Sequence, residues 1–515
     1  MLSISWSAAG WSPLSLIMTA LAGLLAGYYW VWTRSRFVRL IDALPGPKPL
    51  PLLGNLLHFA NFSLDDVKYE PICRIWISFY PAVFMAHSKL FESVLSNPKL
   101  INRPHDYEYL FHGESLALFT DDAWRKRRRM LNPAFSFQIL NRFIGTFNDL
   151  SLDCVAKLEE MLETEQHKEI DVFPIMSKLT LDILSETSMG RKSWSEEETT
   201  NFFQCIERLE HVFMQRCFYQ PWLRSDFIFK LSPLYRLEKQ CISITSSLID
   251  KVIQNRLELQ KKNGQCESLV SNNNNEEEDE YSRPKKRLAF LDLLFQAAEA
   301  NPDLNDKAIR NEIFLFMGGG IDTTSLTFIW FLYLIAKHPD QQKLVTDELD
   351  LIFGNSDRPV TAQDLTELKY LECCIKETLR LYPSLPLISR RLTEDVQAEG
   401  YTLPKGLTVI FNIYSAHRNP EVYPDPDAFK PERFLPENSV GRHPYAYVPF
   451  SAGVRNCIGH RYAMLELKVS LANLLRRLRF SVSDPSAPLE TPSMTLLSKP
   501  KSGQCNLIVS KRVIS

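Results

Sequence analysis

Pro449-Phe450-Ser451-Ala452-Gly453-Val454-Arg455-Asn456-Cys457-Ile458-Gly459-His460 is the stretch on which the reading of this 515-residue chain turns. Two glycines bracket a single cysteine, and a helical pattern from Arg461 to Leu475 follows directly. A thiolate placed there lies near the N–H groups of a helix start, whose partial positive charge stabilises it and tunes its electron donation. Gly453 and Gly459 permit tight turns around a flat ligand, and Phe450 stands where a ring can shield the sulfur from water. A lone cysteine is more often a small buried hydrophobe than a ligand, so the loop has to be weighed together with what lies upstream.

Upstream, Asn305 is placed to cap a helix running from Asp306 to about Lys337, long enough to cross a whole domain. Within it stands Met317-Gly318-Gly319-Gly320-Ile321-Asp322-Thr323-Thr324. Each glycine inside a helix costs about 1 kcal/mol relative to alanine, so three together point to a groove where a flat cofactor approaches the backbone. Asp322 and Thr323 then supply an acid and a hydroxyl beside that groove, a combination suited to relaying protons. The plainer alternative is that both merely bond back onto a bent helix. Glu377 and Arg380 share one helix face, as do Trp124 and Arg128. Tyr423 to Phe434 (YPDPDAFKPERF) is a stiff proline-rich loop.

Together these segments resemble the cytochrome P450 family, and they occur in its order. FxxGxRxCxG, the family's haem-ligand loop, is complete here, which implies that Cys457 ligates haem iron with Phe450, Gly453, Arg455 and Gly459 around it. Met317 to Thr324 resembles the oxygen-activation motif, implying that Thr323 turns its hydroxyl toward bound oxygen and Asp322 feeds it protons. Trp124 and Arg128 match a WxxxR pair that binds a haem propionate, with Arg390 and Arg455 as further propionate partners; a guanidinium fork suits a carboxylate. The resemblance also implies that Arg433 joins Glu377 and Arg380 in a buried structural triad. Arg125, Lys126, Arg127 and Arg129 are either an ordinary solvated face or, as in the family, the surface on which an acidic flavoprotein reductase docks.

Within the family the chain looks like the family-4 group of insects or related animals, through Arg128 to Phe137 (RRMLNPAFSF), Leu288 to Leu294 and Arg442 to Tyr447. Many members of that group carry, where this chain has Gly319, a glutamate that forms an ester with the haem. Its absence implies haem b held non-covalently apart from the Cys457–iron bond, and puts terminal-carbon regioselectivity in question. Val454 and His460 stand where the group has proline and glutamine, beside Cys457 and able to shift the iron's potential.

The fold class expected is mainly α with small β-sheets, a cytochrome P450 fold with one large haem domain at residues 55–515. Helical spacing dominates from Leu90 to Leu259, including Phe173 to Met189, while Arg74 to His87 and Ile388 to Ile413 read as strands. Ser271 to Arg287 is too polar to pack, and residues 268–287 are expected to form a disordered internal loop; its basic half also has the composition of a nuclear import signal. No charged residue precedes Arg34, and Pro13 to Trp32 is mostly apolar, which predicts a transmembrane anchor at 13–33 behind a short lumenal stretch at 1–12. The alternative, a cleaved signal peptide, lacks its basic leading region. Arg34, Arg36 and Arg39 then place the body in the cytosol, and a basic, proline-rich hinge follows at 34–54. On that topology the Asn61-Phe62-Ser63 sequon carries no sugar.

Composition agrees: 45% hydrophobic and 23% charged residues form a core, while a net charge of −2 gives no global reason for nucleic acid as a partner. Ten irregularly spaced cysteines read as mostly reduced thiols. The resemblance implies a haem-thiolate monooxygenase of the endoplasmic reticulum membrane. It would act on a lipophilic substrate with NADPH-derived electrons from NADPH-cytochrome P450 reductase, with cytochrome b5 a second donor. The chain shows no flavin or nicotinamide fingerprint of its own. Two other readings stay open on the residues: an isomerase or dehydratase of the same fold that acts on peroxides without O2, and a haem sensor or carrier without turnover.

Overall fold

The computed structural model describes residues 13–512 except 60–70, 112, 165–168, 190–193, 272–289, 302 and 494–495. The expected lumenal stretch 1–12, the sequon at Asn61 and most of the 268–287 loop therefore lie outside the described residues. Residues 268–271 are the end of the helix Pro233–Ser271 rather than loop.

Helices dominate, and the long one, Asp306–Lys337, organises the rest. Its start follows the sequence: the Asn305 side chain accepts from Ala308 N–H, satisfying one of the unpaired donors of a helix N-terminus. Beyond Thr324 nearly every side chain is buried, which an all-round apolar helix requires. Trp330 lies flat on Tyr382, ring centroids 3.8 Å apart, and its indole N–H donates to the Ser498 carbonyl at 2.6 Å. Against this axis pack Val172–Met189, Lys369–Leu381 and His460–Arg477. Asp306–Lys337 is also long and apolar enough to cross a bilayer, but over half of it is buried in protein, so it is a core helix.

Three small sheets complete the fold. The four-stranded one runs in the order Ile72–Ile77, Tyr80–Met85, Thr408–Asn412, Leu387–Arg391, with the middle pair parallel and the others antiparallel. Strand alternation puts Ile388 and Arg390 on the same buried face of Leu387–Arg391. A three-stranded sheet joins Glu169–Asp171, Asn506–Lys511 and Leu478–Ser481, tying the end of the chain to its middle.

The N-terminal helix Pro13–Thr33 is apolar and exposed along its length, the one described candidate span that the body does not cover. Its end is docked: Trp32 meets Trp76 and Phe79 edge-on at 5.3 and 5.8 Å. The stretch expected to be a basic, proline-rich hinge, 34–54, begins with a short helix, Arg36–Asp42, capped by the Ser35 side chain. Asp42 accepts from Arg74 at 2.7 Å and Trp76 at 3.2 Å, and Arg36 pairs with Asp395 at 2.7 Å, so this stretch is packed onto the domain.

Candidate functional site

The Cys457 loop is held by backbone before any ligand is considered. Cys457 N–H donates to the Phe450 carbonyl at 2.9 Å, and the Phe450 ring lies on His460 with centroids 4.3 Å apart. Gly453 has φ +70°, and a Cβ there would stand 1.9 Å from the Leu95 carbonyl oxygen. The left-handed conformation alone costs an alanine about 1–3 kcal/mol, and the overlap with a fixed carbonyl adds to that. Gly453→Ala is therefore expected to displace the loop, giving expressed protein with less than a tenth of the wild-type haem content and a lowered unfolding temperature. Wild-type haem content in this variant would show that the loop has another conformation open to it.

Above Cys457 lies a cavity of about 370 Å³, within the range of small-molecule sites. Gly318, Gly319 and Thr323 of the long helix line one side, Ile206 and Leu209 the top, and Leu385 and Ile388 another wall. The three glycines are not equivalent. A Cβ on Gly319 would meet nothing within 4 Å, whereas one on Gly320 would press on Leu184 at 3.1 Å, so Gly320 is also a packing residue. Thr323 Oγ1 donates to the Gly319 carbonyl at 2.7 Å, the back-bonded state, while the Thr323 carbonyl accepts from Ser384 at 2.8 Å and Thr327 at 2.9 Å. Asp322 does not line the cavity. Burial first, and then the charges of Glu210 and Glu207, push its carboxyl up to about 7 against the pull of Lys499.

At the other end, cations converge. Trp124 is buried, with Arg455 stacked 5.2 Å from its ring. Arg128 donates to the carbonyl and side-chain oxygens of Asn456 at 2.8 and 3.0 Å, so it braces the residue preceding Cys457. Arg455 donates to the carbonyls of Ile101 and Ala117 at 2.7 and 2.8 Å. Arg390 donates to the Ser389 carbonyl, and its buried Nη2 has no partner among the described residues; nor has Nε of Arg103. Burial first, and then Arg103, lowers Arg390 to about 9 and Arg455 to about 8. Arg103 carries no motif and was missed in the sequence; it stacks 4.4 Å over Tyr107 and completes the cluster.

Cys457 opens onto this cavity. Burial raises its thiol, and the N–H groups of Gly459 and His460 with Arg128 and Arg103 pull in the opposite direction. The helix start alone, expected to stabilise a thiolate, is thus outweighed by dryness until a further positive charge is present.

The basic face on Asp121–Leu131 departs from expectation. Arg127 is buried, 3.4 Å from the buried Glu312 of the long helix, because the same turn that exposes Lys126 points Arg127 inward. Glu312 also accepts from Leu116 N–H at 3.0 Å, and burial pushes it up to about 7. Arg125 and Lys126 are paired with Asp122 and Asp303.

Glu377 and Arg380 are both fully buried, joined by two hydrogen bonds of 2.7 and 2.8 Å, and Arg433 Nε stands 3.4 Å from Glu377.

The sequence profile described as Cytochrome P450 matches residues 44–507. The chain belongs to the cytochrome P450 family. It is 38% identical to Cytochrome P450 4c3 of Drosophila melanogaster, with 96% of this chain and 94% of the relative covered. It is 35% identical to Cytochrome P450 4V2 of Homo sapiens over 92% and 90%, and 37% identical to Cytochrome P450 4c21 of Blattella germanica over 86% and 88%. The chain is accordingly a haem monooxygenase of the P450 type, with cysteine-thiolate ligation of the iron. The residues present fit that cofactor: one cysteine opens onto the cavity, two glycines leave the opposite wall bare, and buried guanidiniums lack anions that two propionates would provide.

Proposed function

We propose that this chain inserts one oxygen atom of O2 into a C–H or double bond of a lipophilic substrate, the second atom leaving as water with two electrons and two protons. Thiolate-ligated haem supplies the O–O cleavage. Cys457 is the ligand, Trp124, Arg128, Arg390, Arg455 and Arg103 hold the propionates, and Phe450 screens the sulfur. Thr323 Oγ1, on leaving the Gly319 carbonyl, donates into the cavity, and Asp322 restores its proton. The observation that carries the reading is a mostly apolar cavity lined by Cys457, Gly319 and Thr323 together. Its walls, Phe314, Leu315, Ile206 and Leu496 among them, suit an apolar guest rather than a charged one.

Electrons come from NADPH through its cytochrome P450 reductase, with cytochrome b5 as an auxiliary donor, docking where Arg125, Lys126 and Arg129 remain solvent-facing. Pro13–Thr33 anchors residues 55–515, the catalytic domain, in the endoplasmic reticulum membrane, with Arg34, Arg36 and Arg39 on the cytosolic side. Exposed Leu52, Leu57, Trp222, Phe227 and Leu231 give the domain an apolar surface of its own from which a lipid can be taken up. The decisive assay combines full-length protein, reductase, NADPH and a fatty-acid probe under labelled O2. One labelled oxygen in the product, dependent on NADPH, is expected. Conversion of a lipid hydroperoxide without NADPH would instead establish the isomerase, and neither reaction would leave a carrier.

The haem is held without an ester. Acidified acetone is expected to extract it completely from the wild type. Gly319→Glu finds open space for its side chain and replaces a poor helix former, so this variant is expected to retain a measurable fraction of haem on the polypeptide. Haem retention by the wild type would reverse this reading.

A further inference from the structure

Leu116 and Ala117 line the cavity, yet the stretch that carries them, Glu114 to Ala117, belongs to no helix or strand. Ser115, Leu116 and Ala117 are buried, and a buried stretch without a ladder has to find partners for its backbone elsewhere. Three side chains from distant segments supply them. Glu312 of the long helix accepts the Leu116 N–H on both carboxylate oxygens, at 3.0 and 3.2 Å. Its neighbour Asn311 donates to the Glu114 carbonyl at 3.2 Å. Arg455, two residues before Cys457, donates to the carbonyls of Leu116 and Ala117 at 3.3 and 2.8 Å.

The carboxylate is itself held. Arg127 Nη1 stands 3.4 Å from Glu312 Oε1, with the two side chains 5% and 0% exposed. The same guanidinium lies 5.1 Å from the centroid of the Phe119 ring and donates to the Asp303 carbonyl at 3.4 Å. Wall and arginine are also joined through the chain. The N–H groups of Leu118 and Phe119 both donate to the Ser115 carbonyl at 3.0 Å, and the helix Asp121–Leu131 that carries Arg127 begins just beyond. Strap, short helix and long helix thus close a ring, with the Arg127–Glu312 contact across it. A buried ion pair contributes little net stability over apolar residues of similar volume, so stability alone is a weak reason for its presence.

We propose that Glu312, held by Arg127, is a positioning residue for substrate selection: it sets where Leu116 and Ala117 stand in the cavity wall, and so which guests fit above Cys457. The proposal rests on the reading of this cavity as the substrate site. Glu312 does not line the cavity and acts only through the Leu116 N–H that it holds. A difference the size of one methylene in an apolar pocket changes discrimination by about tenfold or more, so a small drift of the strap is enough to alter the fit of a large guest. A guest confined to the neighbourhood of the iron does not meet that wall and is indifferent to it.

The test uses the full-length, haem-loaded ferric enzyme and needs no turnover. A single change would leave one buried charge alone and endanger folding, so the pair is replaced whole. Arg127→Met with Glu312→Leu removes both charges and the acceptor; Arg127→Met with Glu312→Gln removes the charges but keeps an oxygen for the Leu116 N–H. Two azoles that coordinate the iron are the probes, read by the Soret shift: imidazole, which stays at the metal, and clotrimazole, whose bulky aryl groups reach the walls. In the leucine variant clotrimazole is expected to bind about tenfold more weakly, with imidazole affinity and haem content unchanged. Its Leu116 amide should exchange with deuterated water about tenfold faster, the effect of losing one hydrogen bond. The glutamine variant is expected to restore both values. A merely structural pair would weaken both azoles together and would not be rescued by an uncharged acceptor. If the ratio of clotrimazole to imidazole affinity is the same in wild type and leucine variant, or the Leu116 amide keeps its protection there, Glu312 does not position the wall. If clotrimazole fails to compete with imidazole in the wild type itself, the reading of the cavity as the substrate site fails, and the proposal with it.

Discussion

Cys457→Ala is expected to abolish the red-shifted Soret band of the dithionite-reduced, CO-bound protein while leaving its far-ultraviolet circular dichroism unchanged. The two halves of that result have separate causes. The loop's shape is set by the Cys457 N–H bond to Phe450, by the positive φ of Gly453 and by Arg128 on Asn456, none of which involves the sulfur. An alanine keeps all three and starts the following helix equally well. The band would require a cysteine thiolate holding the haem iron, and among the described residues no other cysteine lines the cavity. Cys205 and Cys241 share one apolar cluster and Cys217 lies in another; burial pushes Cys205 up to about 11 and Cys217 well above its ordinary value. Rescue by a neighbouring thiol is therefore opposed by the cost of ionising it. A variant that kept the band would place the ligand elsewhere and overturn the assignment of the whole loop. Loss of the band together with loss of helix content would instead make Cys457 a folding residue, and the ligand would then have to be tested with Cys457→Ser.

Much of this geometry was readable in the residues because it is local. Asn305 caps the long helix at the residue expected, since a cap is decided within three positions. The expected strands at Arg74 to His87 and Ile388 to Ile413 appear because alternation and turn residues are equally short-range signals. The Cys457 loop was legible for the same reason. What was not legible depends on rotation and on partners far away in the chain. Helical spacing placed Asp322 and Thr323 side by side, yet adjacent helix positions diverge by about 100°, and only Thr323 faces the cavity. The run Arg125 to Arg129 looked like one basic surface, but the same divergence buries Arg127 against Glu312. Arg103, Glu210 and Lys499 carry no pattern at all. Each sits in an ordinary local context and acquires meaning only when segments hundreds of residues apart are brought together.

Arg380→Ala is expected to destabilise the protein by about 3–5 kcal/mol, the range for leaving a buried charge without its partner. Glu377 would keep the Lys430 N–H at 2.9 Å and a more distant Arg433, but lose both bonds from the one cation buried as completely as itself. The carbonyls of His417, Pro426 and Ala428 would lose their donor in the same step. The damage runs on to the cysteine loop. His417, whose carbonyl Arg380 holds, accepts from Val448 N–H at 2.9 Å through a ring that burial keeps neutral, and Val448 precedes Phe450 by two residues. Arg433→Ala should cost less, about 1–2 kcal/mol, because Arg433 is partly exposed and 3.4 Å from Glu377. Glu377→Leu combined with Arg380→Met removes both charges together and should cost less than the two single changes added, since neither charge is then left alone. Urea midpoints read by tryptophan fluorescence, with haem retention measured alongside, give the order. If Arg433→Ala proved as costly as Arg380→Ala, the longer contact would be the governing one, and the connection from Glu377 through His417 to the haem-ligand loop would have to run through the proline-rich segment instead.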